Sequence, residues 1–367
     1  MSLDKISQQI KELEDELSKT KYNKSTQHHV GLVKAKIAAL RDKLLVKAKQ
    51  SGGPKTTYAV RKTGDGTVIL IGFPSVGKST LLNALTNANS AVAAYDFTTL
   101  DVVPGVLEHK HAKIQVLDVP GIVHGAASGR GRGREVLSVM RSADLAIILI
   151  DATHPDHYPA IMKEVYDAGI RLNQHKPIVK IIRKTRGGVR VGATVKLTKI
   201  TKEMVQDIMR EFGYSNADIV IRQDIDVDQL IDAIEGTRVY MPAVIIINKI
   251  DLVSKERLEE IKKEIKPDIS ISADKRLLIE KVKDIIYNGL NVIRVYCKQI
   301  GKPADMQVPL IMFKNSTISD MCSKLHKDFV KKFKFARVWG KSAKFPGQKI
   351  MLAHKLQDED IVELHTR

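Results

Sequence analysis

The feature that most constrains this chain is the loop Gly72-Phe73-Pro74-Ser75-Val76-Gly77-Lys78-Ser79, which matches the pattern G-x-x-x-x-G-K-[ST]. A strand-like apolar run precedes it at residues 68–71, and a helix-like run that starts with Thr80 follows at residues 80–85. The glycines let backbone N–H groups surround phosphates, and the helix N-terminus adds its positive end. The unit predicts a nucleotide-binding, doubly wound α/β domain with a parallel sheet.

The chemistry of such a loop assigns roles to its last residues. We expect Lys78 to contact the β- and γ-phosphates, and we expect the Ser79 hydroxyl to ligate Mg²⁺. The whole segment from Gly72 to Thr80 is the predicted phosphate site. It indicates a nucleotide without specifying the base.

A second motif, Asn248-Lys249-Ile250-Asp251, follows a buried-strand pattern at residues 244–247 and predicts the base. The Asp251 carboxylate can accept from the N1–H and the amino group of guanine together, and adenine presents no such pair of donors. We expect Asn248 to brace the neighbouring loops and the Lys249 stem to cover the base. Further along, the backbone of Ser272 and Ala273 is a weaker candidate for contacts to the guanine oxygen.

Two more motifs lie between these in the chain. Asp118 ends a strand-like run and opens the sequence Asp118-Val119-Pro120-Gly121. We expect Asp118 to hold Mg²⁺ through water and the Gly121 N–H to sense the γ-phosphate. Thr99 is the favoured hydroxyl to reach Mg²⁺ when the γ-phosphate is present, and the alternative for it is a loop hydroxyl that faces water.

The charge of the chain indicates a polyanionic partner. The net charge is +18, and residues 168–202 hold ten Lys or Arg with no Asp or Glu. A second acid-free interval, between Asp328 and Asp358, mixes lysines with aromatic side chains. This pattern suits RNA, whose phosphates attract cations and whose exposed bases stack. We expect Trp339 in this interval to be buried or half-buried.

Composition also excludes some classes of protein. The two cysteines have no metal-site or disulfide spacing, which favours a reducing cytoplasm. The N-terminus has no apolar signal core, and apolar runs are of strand length, so we expect no membrane partner. We expect a monomer.

The 367 residues are too many for one compact domain, and apolar periodicity divides them. Residues 1–50 predict a helical hairpin, which could dock on the rest of the chain or on a partner. Residues 55–172 and 241–290 alternate strand and helix patterns. Residues 173–240 form an inserted basic α+β unit with a predicted hairpin of strands at 178–182 and 189–195. Residues 291–367 predict a β-grasp unit with a capping box at 317–320, a helix to about 332, and strands at 308–312, 336–339, 350–353 and 360–364.

The motifs at 72–79, 95–100, 118–126 and 248–251, with the basic insertion, closely resemble the developmentally regulated GTP-binding family of Obg-like GTPases over nearly the full length. The resemblance implies an insertion like domain 2 of ribosomal protein S5 and a C-terminal TGS domain. It also implies a GTP- and GDP-binding, Mg²⁺-dependent hydrolase that acts on ribosomes through ribosomal RNA or tRNA. Eukaryotic members use a dedicated protein partner.

One position departs from the general GTPase pattern. Ile122 stands where many GTPases have a glutamine that orients water, so we expect slow turnover by the chain alone. His124, an arginine among Arg130, Arg132 and Arg134, or a K⁺ ion near Ser75 are candidate substitutes. The alternative function is a nucleotide-gated RNA-binding adapter with little turnover. A membrane-proximal signalling GTPase is disfavoured because no lipidation motif is present.

Overall fold

The computed structural model describes residues 3–21, 23, 26–50, 64–86, 103–118 and 139–366. These residues form two compact units. The first takes its residues from 1–57 and 174–240, and the second takes its residues from 58–173 and 241–367.

The described helices and strands are numbered in chain order. The helices are α1 (Leu3–Lys19), α2 (Gln27–Gln50), α3 (Lys78–Leu85), α4 (His157–Asp167), α5 (Lys202–Glu211), α6 (Val227–Glu235), α7 (Lys255–Ile265), α8 (Ile279–Gly289), α9 (Ile318–Leu325) and α10 (Lys327–Lys332). The strands are β1 (Gly66–Ile71), β2 (Val103–His109), β3 (Ala112–Asp118), β4 (Leu145–Asp151), β5 (Ile170–Leu172), β6 (Val179–Arg183), β7 (Val189–Ala193), β8 (Ala217–Ile221), β9 (Val239–Met241), β10 (Ala243–Asn248), β11 (Ile269–Ser270), β12 (Val292–Lys298), β13 (Leu310–Phe313), β14 (Phe333–Trp339), β15 (Gln348–Ile350) and β16 (Asp360–Thr366).

A six-stranded sheet in the order β11-β10-β4-β1-β3-β2 forms the centre of the second unit, and only its edge strand β2 runs antiparallel to its neighbour. Every residue of β1 and β4 is buried, as expected for parallel strands covered on both faces. Apolar side chains of α3 and α8 belong to the same core as the sheet. The chain turns from β3 on one side of β1 to β4 on the other, so β1 ends at a topological switch point, where ligands bind in such sheets. The predicted fold class is confirmed.

Three hydrogen bonds of Asn173 join the two ends of the 174–240 segment. The Asn173 side chain donates to the Ala243 carbonyl at 3.0 Å and accepts from the Ala243 N–H at 2.7 Å. The Asn173 N–H also donates to the Met241 carbonyl at 2.9 Å. We call this contact the neck. It fixes the start and the end of the 174–240 segment next to each other.

The C-terminal part of the second unit is a five-stranded mixed sheet in the order β13-β12-β16-β14-β15, packed on α9. The predicted capping box is present, because Thr317 and Asp320 each bond the other's backbone N–H at the start of α9. The predicted single helix is broken at His326, whose extended backbone ends α9 and caps α10. The strand predicted at 350–353 ends at Ile350, because the chain turns there with the His354 N–H donating to the Met351 carbonyl.

The first unit joins the helical hairpin to the insertion. One face of α2 packs on α1 through Val33 and Ile37, and residues such as Ala35 on another face enter the core formed with α5 and α6. The hairpin therefore docks on the chain itself.

The predicted pairing of residues 178–182 with 189–195 is wrong. The sheet order is β6-β8-β7, so β8 lies between the two strands. The glycine turn does not close a hairpin, because Ala217, at the start of β8, donates its N–H to the Gly188 carbonyl. The central strand β8 is the most buried of the three, since its residues Ala217, Ile219 and Ile221 are fully buried.

Candidate functional site

The phosphate-loop segment joins β1 to α3 at the carboxyl edge of the six-stranded sheet. Gly77 caps α3 with φ 95°, a left-handed conformation that glycine adopts without the Cβ penalty. Lys78 folds back so that its Nζ donates to the carbonyls of Gly72 and Phe73, each at 3.0 Å. Burial lowers the pKa of the Lys78 ammonium, and the Asp118 charge opposes part of that shift. The ammonium therefore rests on backbone oxygens that a phosphate oxygen could replace.

Ser79 and Asp118 come together from α3 and the end of β3. The Ser79 hydroxyl donates to Asp118 Oδ2 at 2.8 Å. The other carboxylate oxygen, Asp118 Oδ1, is buried and has no hydrogen-bond partner. A buried, unpaired carboxylate oxygen beside a hydroxyl is a hard-oxygen environment that suits Mg²⁺. These two residues fit the metal predicted from the sequence.

Asn248 links the phosphate loop to the loop after β11. Its Nδ2 donates to the Val76 carbonyl at 2.9 Å, and its Oδ1 accepts from the Ala273 N–H at 2.9 Å. A Cβ on Gly77 would lie 2.5 Å from the same Nδ2, so only glycine allows this approach. The Ala273 N–H, a candidate donor to the guanine oxygen, already bonds Asn248 in this conformation.

The two charged residues of the Asn248–Asp251 motif are held by partners that the sequence analysis missed. Lys249 Nζ contacts Asp151 Oδ2 at 2.7 Å, and Lys275 Nζ contacts Asp251 Oδ2 at 3.3 Å. Asp151 is the last residue of β4, just as Asp118 is the last residue of β3. A carboxylate at the end of a buried strand was the sequence signal that could have identified Asp151. Lys275 is a surface lysine two residues beyond Ala273, and nothing in its local pattern marks it.

These contacts lower the pKa of both carboxyls. Hydrogen bonding from Ser272, with a smaller contribution from Lys275, holds the pKa of Asp251 below its usual range. Burial alone would raise the pKa of Asp151, but hydrogen bonds from Lys249 and Thr153 outweigh it and lower the pKa. Both side chains are therefore carboxylates at neutral pH, and Asp251 is in the form that accepts from two N–H donors.

An aromatic side chain of the phosphate loop packs on α4. The Phe73 ring stacks on His157 with centroids 4.1 Å apart, and His157 stacks on His154 at 5.2 Å. The neighbouring Pro74 and Ser75 are exposed, and Ser75 has φ 61°. The sequence offered no reason to connect Phe73 with histidines more than eighty residues away.

Several predicted residues lie outside the described part of the chain. These are Thr99, Gly121, Ile122, His124 and the arginines at 130, 132 and 134. The described site therefore consists of the phosphate loop, Asp118, the Asn248–Asp251 motif and the Ser272–Ala273 turn. Thr80 is exposed in the first turn of α3.

Other features of the described residues bear on function class. Within these ranges, no helix has both the length and the apolar character that crossing a bilayer requires. The described His, Cys, Asp and Glu side chains form no group of three that could hold a metal ion. Trp339 is half-buried, as expected.

Three family models match consecutive parts of the chain. Residues 67–184 match the model described as 50S ribosome-binding GTPase, and residues 186–292 match the model for the C-terminal region of that domain. Residues 293–366 match the TGS domain.

Curated relatives match nearly the whole chain. A GTP-binding protein of Methanocaldococcus jannaschii is 51% identical, covering 98% of this chain and 92% of its own length. The developmentally-regulated GTP-binding protein 2 homolog of Dictyostelium discoideum is 44% identical, covering 98% of this chain and 99% of its own. Human developmentally-regulated GTP-binding protein 2 is 40% identical, with coverages of 98% and 99%. The chain therefore belongs to the developmentally regulated GTP-binding protein family, and it is a GTPase with a C-terminal TGS domain.

Proposed function

We propose that this chain binds GTP and GDP with Mg²⁺ at the carboxyl edge of the six-stranded sheet, hydrolyses GTP to GDP and phosphate, and acts as a cytoplasmic, ribosome-associated translation factor. The observation that carries the proposal is the convergence of the phosphate loop, the Ser79–Asp118 pair and Asp251 at one edge, tied together by Asn248. These groups match the phosphates, the metal and the guanine base of one ligand.

In this proposal each side chain exchanges an internal contact for one to the ligand. Lys78 leaves the two loop carbonyls and binds β- and γ-phosphate oxygens. Ser79 and Asp118 hold the metal, and Mg²⁺ supplies neutralisation of the phosphate charge. Asp251 leaves Lys275 and accepts from the guanine N1–H and amino group. Thr99 and Gly121 are proposed to complete the γ-phosphate and metal contacts.

Binding and metal use are tested by titrating GDP against Ser79→Ala and Asp118→Asn over a range of Mg²⁺ concentrations. We expect both variants to lose most of the Mg²⁺ dependence of GDP affinity, because Ser79→Ala removes a proposed oxygen ligand and Asp118→Asn removes the negative charge that would hold Mg²⁺ through water. Ser323→Ala, which removes a surface hydroxyl on α9, is the control and keeps that dependence. An unchanged Mg²⁺ dependence in both variants would place the metal elsewhere.

The ribosomal part of the proposal rests on charge and on the family models. Residues 168–202 carry ten cations without an acid, and matching models include the 50S ribosome-binding GTPase and TGS domains. Ribosomal RNA or tRNA is the polyanion that fits this charge, and a dedicated protein partner is a further candidate. We propose that the nucleotide state controls this docking through residues near 90–105 and 121–135.

The decisive assay is GTP turnover by the purified chain with and without ribosomes, each in K⁺ and in Na⁺. Stimulation to above about 10⁻² s⁻¹, the range of a GTPase with its arginine in place, supports a translational GTPase. Faster turnover in K⁺ than in Na⁺ would show that Ser75 does not prevent assistance by a K⁺ ion. Nucleotide-dependent ribosome binding without stimulation would support the adapter function instead, for which Ile122 is the motivating residue.

A further inference from the structure

The five-stranded sheet of the TGS domain, the TGS sheet, packs one face on α9, and its opposite face carries charged and aromatic side chains on β12, β16, β14 and β15. Alternate residues on its strands, such as Val295, Val338 and Val362, belong to the apolar core that includes α9. The residues between them lie on the opposite face because side chains alternate along a strand. We call the following seven side chains of that face the outer platform: Lys298, Phe335, Arg337, Trp339, Lys349, Glu363 and His365.

A row of charged side chains crosses the outer platform. Strand register places Lys298 beside Glu363, Glu363 beside Arg337, and Arg337 beside Lys349. Glu363 is buried and forms an ion pair with Lys298. Arg337 and Lys349 are exposed, and among the described residues neither has a carboxylate oxygen within 4.0 Å. The row therefore has an excess of positive charge at its β14–β15 end.

Aromatic rings flank this row on both sides. Phe335 stacks on His365 with centroids 4.2 Å apart and an interplanar angle of 16°. Lys349 Nζ lies 4.4 Å from the Phe335 centroid, and Lys298 Nζ lies 4.9 Å from the Trp339 ring. All three rings are half-buried, so part of each remains open to solvent. Phe335 and Trp339 therefore each have a lysine ammonium over the ring, where a packed apolar side chain would otherwise lie.

The Trp339 indole has a firm support. A Cβ on Gly347 would lie 3.3 Å from the indole nitrogen, so the turn before β15 runs directly against the ring. Gly347 has φ 75°, which favours glycine at this close approach. The support fixes the ring plane without burying the ring completely.

The basic sheet of the first unit has a different chemistry. Its strands β6, β7 and β8 contain cations and aliphatic residues but no aromatic residue. Lys180, Arg190 and Arg222 are exposed there. Such a face can neutralise phosphates, and beside it the Tyr214 ring carries the Arg183 guanidinium 4.5 Å from its centroid. The outer platform differs because its rings belong to the strands of its own sheet.

We propose that the outer platform binds a single-stranded RNA segment, with an unpaired base on Phe335 and phosphates on Arg337 and Lys349. This deepens the proposed ribosomal function and rests on RNA being the partner. The Phe335 face under Lys349 is a replaceable site, because this lysine is exposed and has no carboxylate partner among the described residues. A base takes the position of the Lys349 ammonium over Phe335, and that lysine turns to the phosphate beside the base. Rows of cations between stacking rings are the arrangement that binds unpaired strands.

The test uses the full chain and the anisotropy of a fluorescent, unstructured 12-nucleotide RNA, with a 12-base-pair RNA duplex as comparison. We expect tighter binding of the single strand. Phe335→Leu removes the ring but keeps an apolar side chain, so affinity should fall by about 5- to 150-fold, the range for loss of one stacked base. The salt dependence of RNA affinity should be the same in Phe335→Leu as in the parent chain.

Lys349→Gln should give a different signature. Loss of one phosphate contact lowers the steepness of the plot of log affinity against log salt by about 0.7 for a single strand. Lys281→Gln, an exposed lysine on α8, is the matched control, and its affinity and slope should equal those of the parent. Parental GDP affinity and melting temperature in each variant exclude a general loss of folding.

Two outcomes would overturn the inference. They are parental single-strand affinity in Phe335→Leu, and equal or tighter binding of the duplex. Ribosome co-sedimentation of the same proteins separates this inference from the proposed function. If the parent chain binds ribosomes but the platform variants bind RNA normally, only the platform fails. If the parent chain binds the single strand but not ribosomes, only the ribosomal role fails.

Discussion

Removing the Asn248 side chain is the sharpest test of how the site is held together. The residue is 2% exposed, and its amide makes two hydrogen bonds of 2.9 Å to the backbone of Val76 and Ala273. Asn248→Ala leaves a buried carbonyl and a buried N–H unpaired, at about 1–3 kcal/mol each. The summed loss in the free energy of unfolding is about 2–6 kcal/mol. We expect a loss of about 2–4 kcal/mol, because water can enter beside the half-buried Asp251 and bond the exposed groups.

The size of the effect can be measured by thermal unfolding and by GDP titration. For a unit of this size about 1 kcal/mol corresponds to about 2–4 °C, so Asn248→Ala should lower Tm by about 4–16 °C. Asn248→Asp keeps the acceptor for Ala273 but puts a buried carboxylate oxygen against the Val76 carbonyl, so it should destabilise the chain at least as much as Asn248→Ala. Asn83→Ala on the exposed side of α3 is the matched control and should change stability by less than about 0.5 kcal/mol.

Affinity for GDP should fall along with stability, because the phosphate loop and the Ser272–Ala273 turn would no longer be fixed relative to each other. We expect Asn248→Ala to weaken GDP binding by at least about tenfold, equivalent to about 1.4 kcal/mol. If Asn248→Ala melts and binds GDP like Asn83→Ala, the two hydrogen bonds do not organise the site and the reasoning is refuted.

Three further predictions concern single side chains. Lys275→Gln should free Asp251 and tighten GDP binding by up to about fivefold, since an exposed ion pair contributes at most about 1 kcal/mol; weaker binding would mean that Lys275 contacts the nucleotide. Gly77→Ala adds about 1–2 kcal/mol of left-handed backbone strain and overlaps the bridging asparagine, so GDP titration should detect little binding; parental affinity would contradict the packing described. Hydrogen bonding from Lys298 holds the pKa of Glu363 below its usual range, so its folded pKa lies below its unfolded pKa. Its stabilising contribution is therefore complete above about pH 4.5 and is lost as pH falls towards the folded pKa, and melting curves of Glu363→Gln should lack this part of the acid dependence.

The arrangement of the candidate site was largely predictable because its residues occur in local motifs. Ser79 and Asp118 are 39 residues apart in sequence, yet each follows its own strand pattern, and carboxyl ends of parallel strands meet at one edge. Asp151 follows the same rule and was missed because no motif accompanies it. Lys275 and His157 have no local signal, since their partners are set by tertiary packing.

The pairing of β6 with β7 failed for a different reason. Two adjacent apolar segments joined by Gly187-Gly188 favour a hairpin locally, but the pattern cannot reveal that a later strand takes the central place. The central strand, β8, has alternate residues fully buried and the others half-buried, whereas most residues of β6 and β7 are half-buried or exposed. In the TGS domain, the capping box fixed the start of α9, but the break at His326 has no comparable signal.

The neck at Asn173 has a consequence for folding. Strands β4 and β10 are neighbours in the sheet, although the entire 174–240 segment separates them along the chain. Because Asn173 joins Ala243 directly, this segment is a closed loop anchored at both ends. The entropy of closing a loop rises only slowly with its length, by about 0.6 kcal/mol for each doubling. The sheet can therefore tolerate a segment that opens and refolds on its own, and hydrogen exchange can proceed in the segment while the six-stranded sheet stays protected.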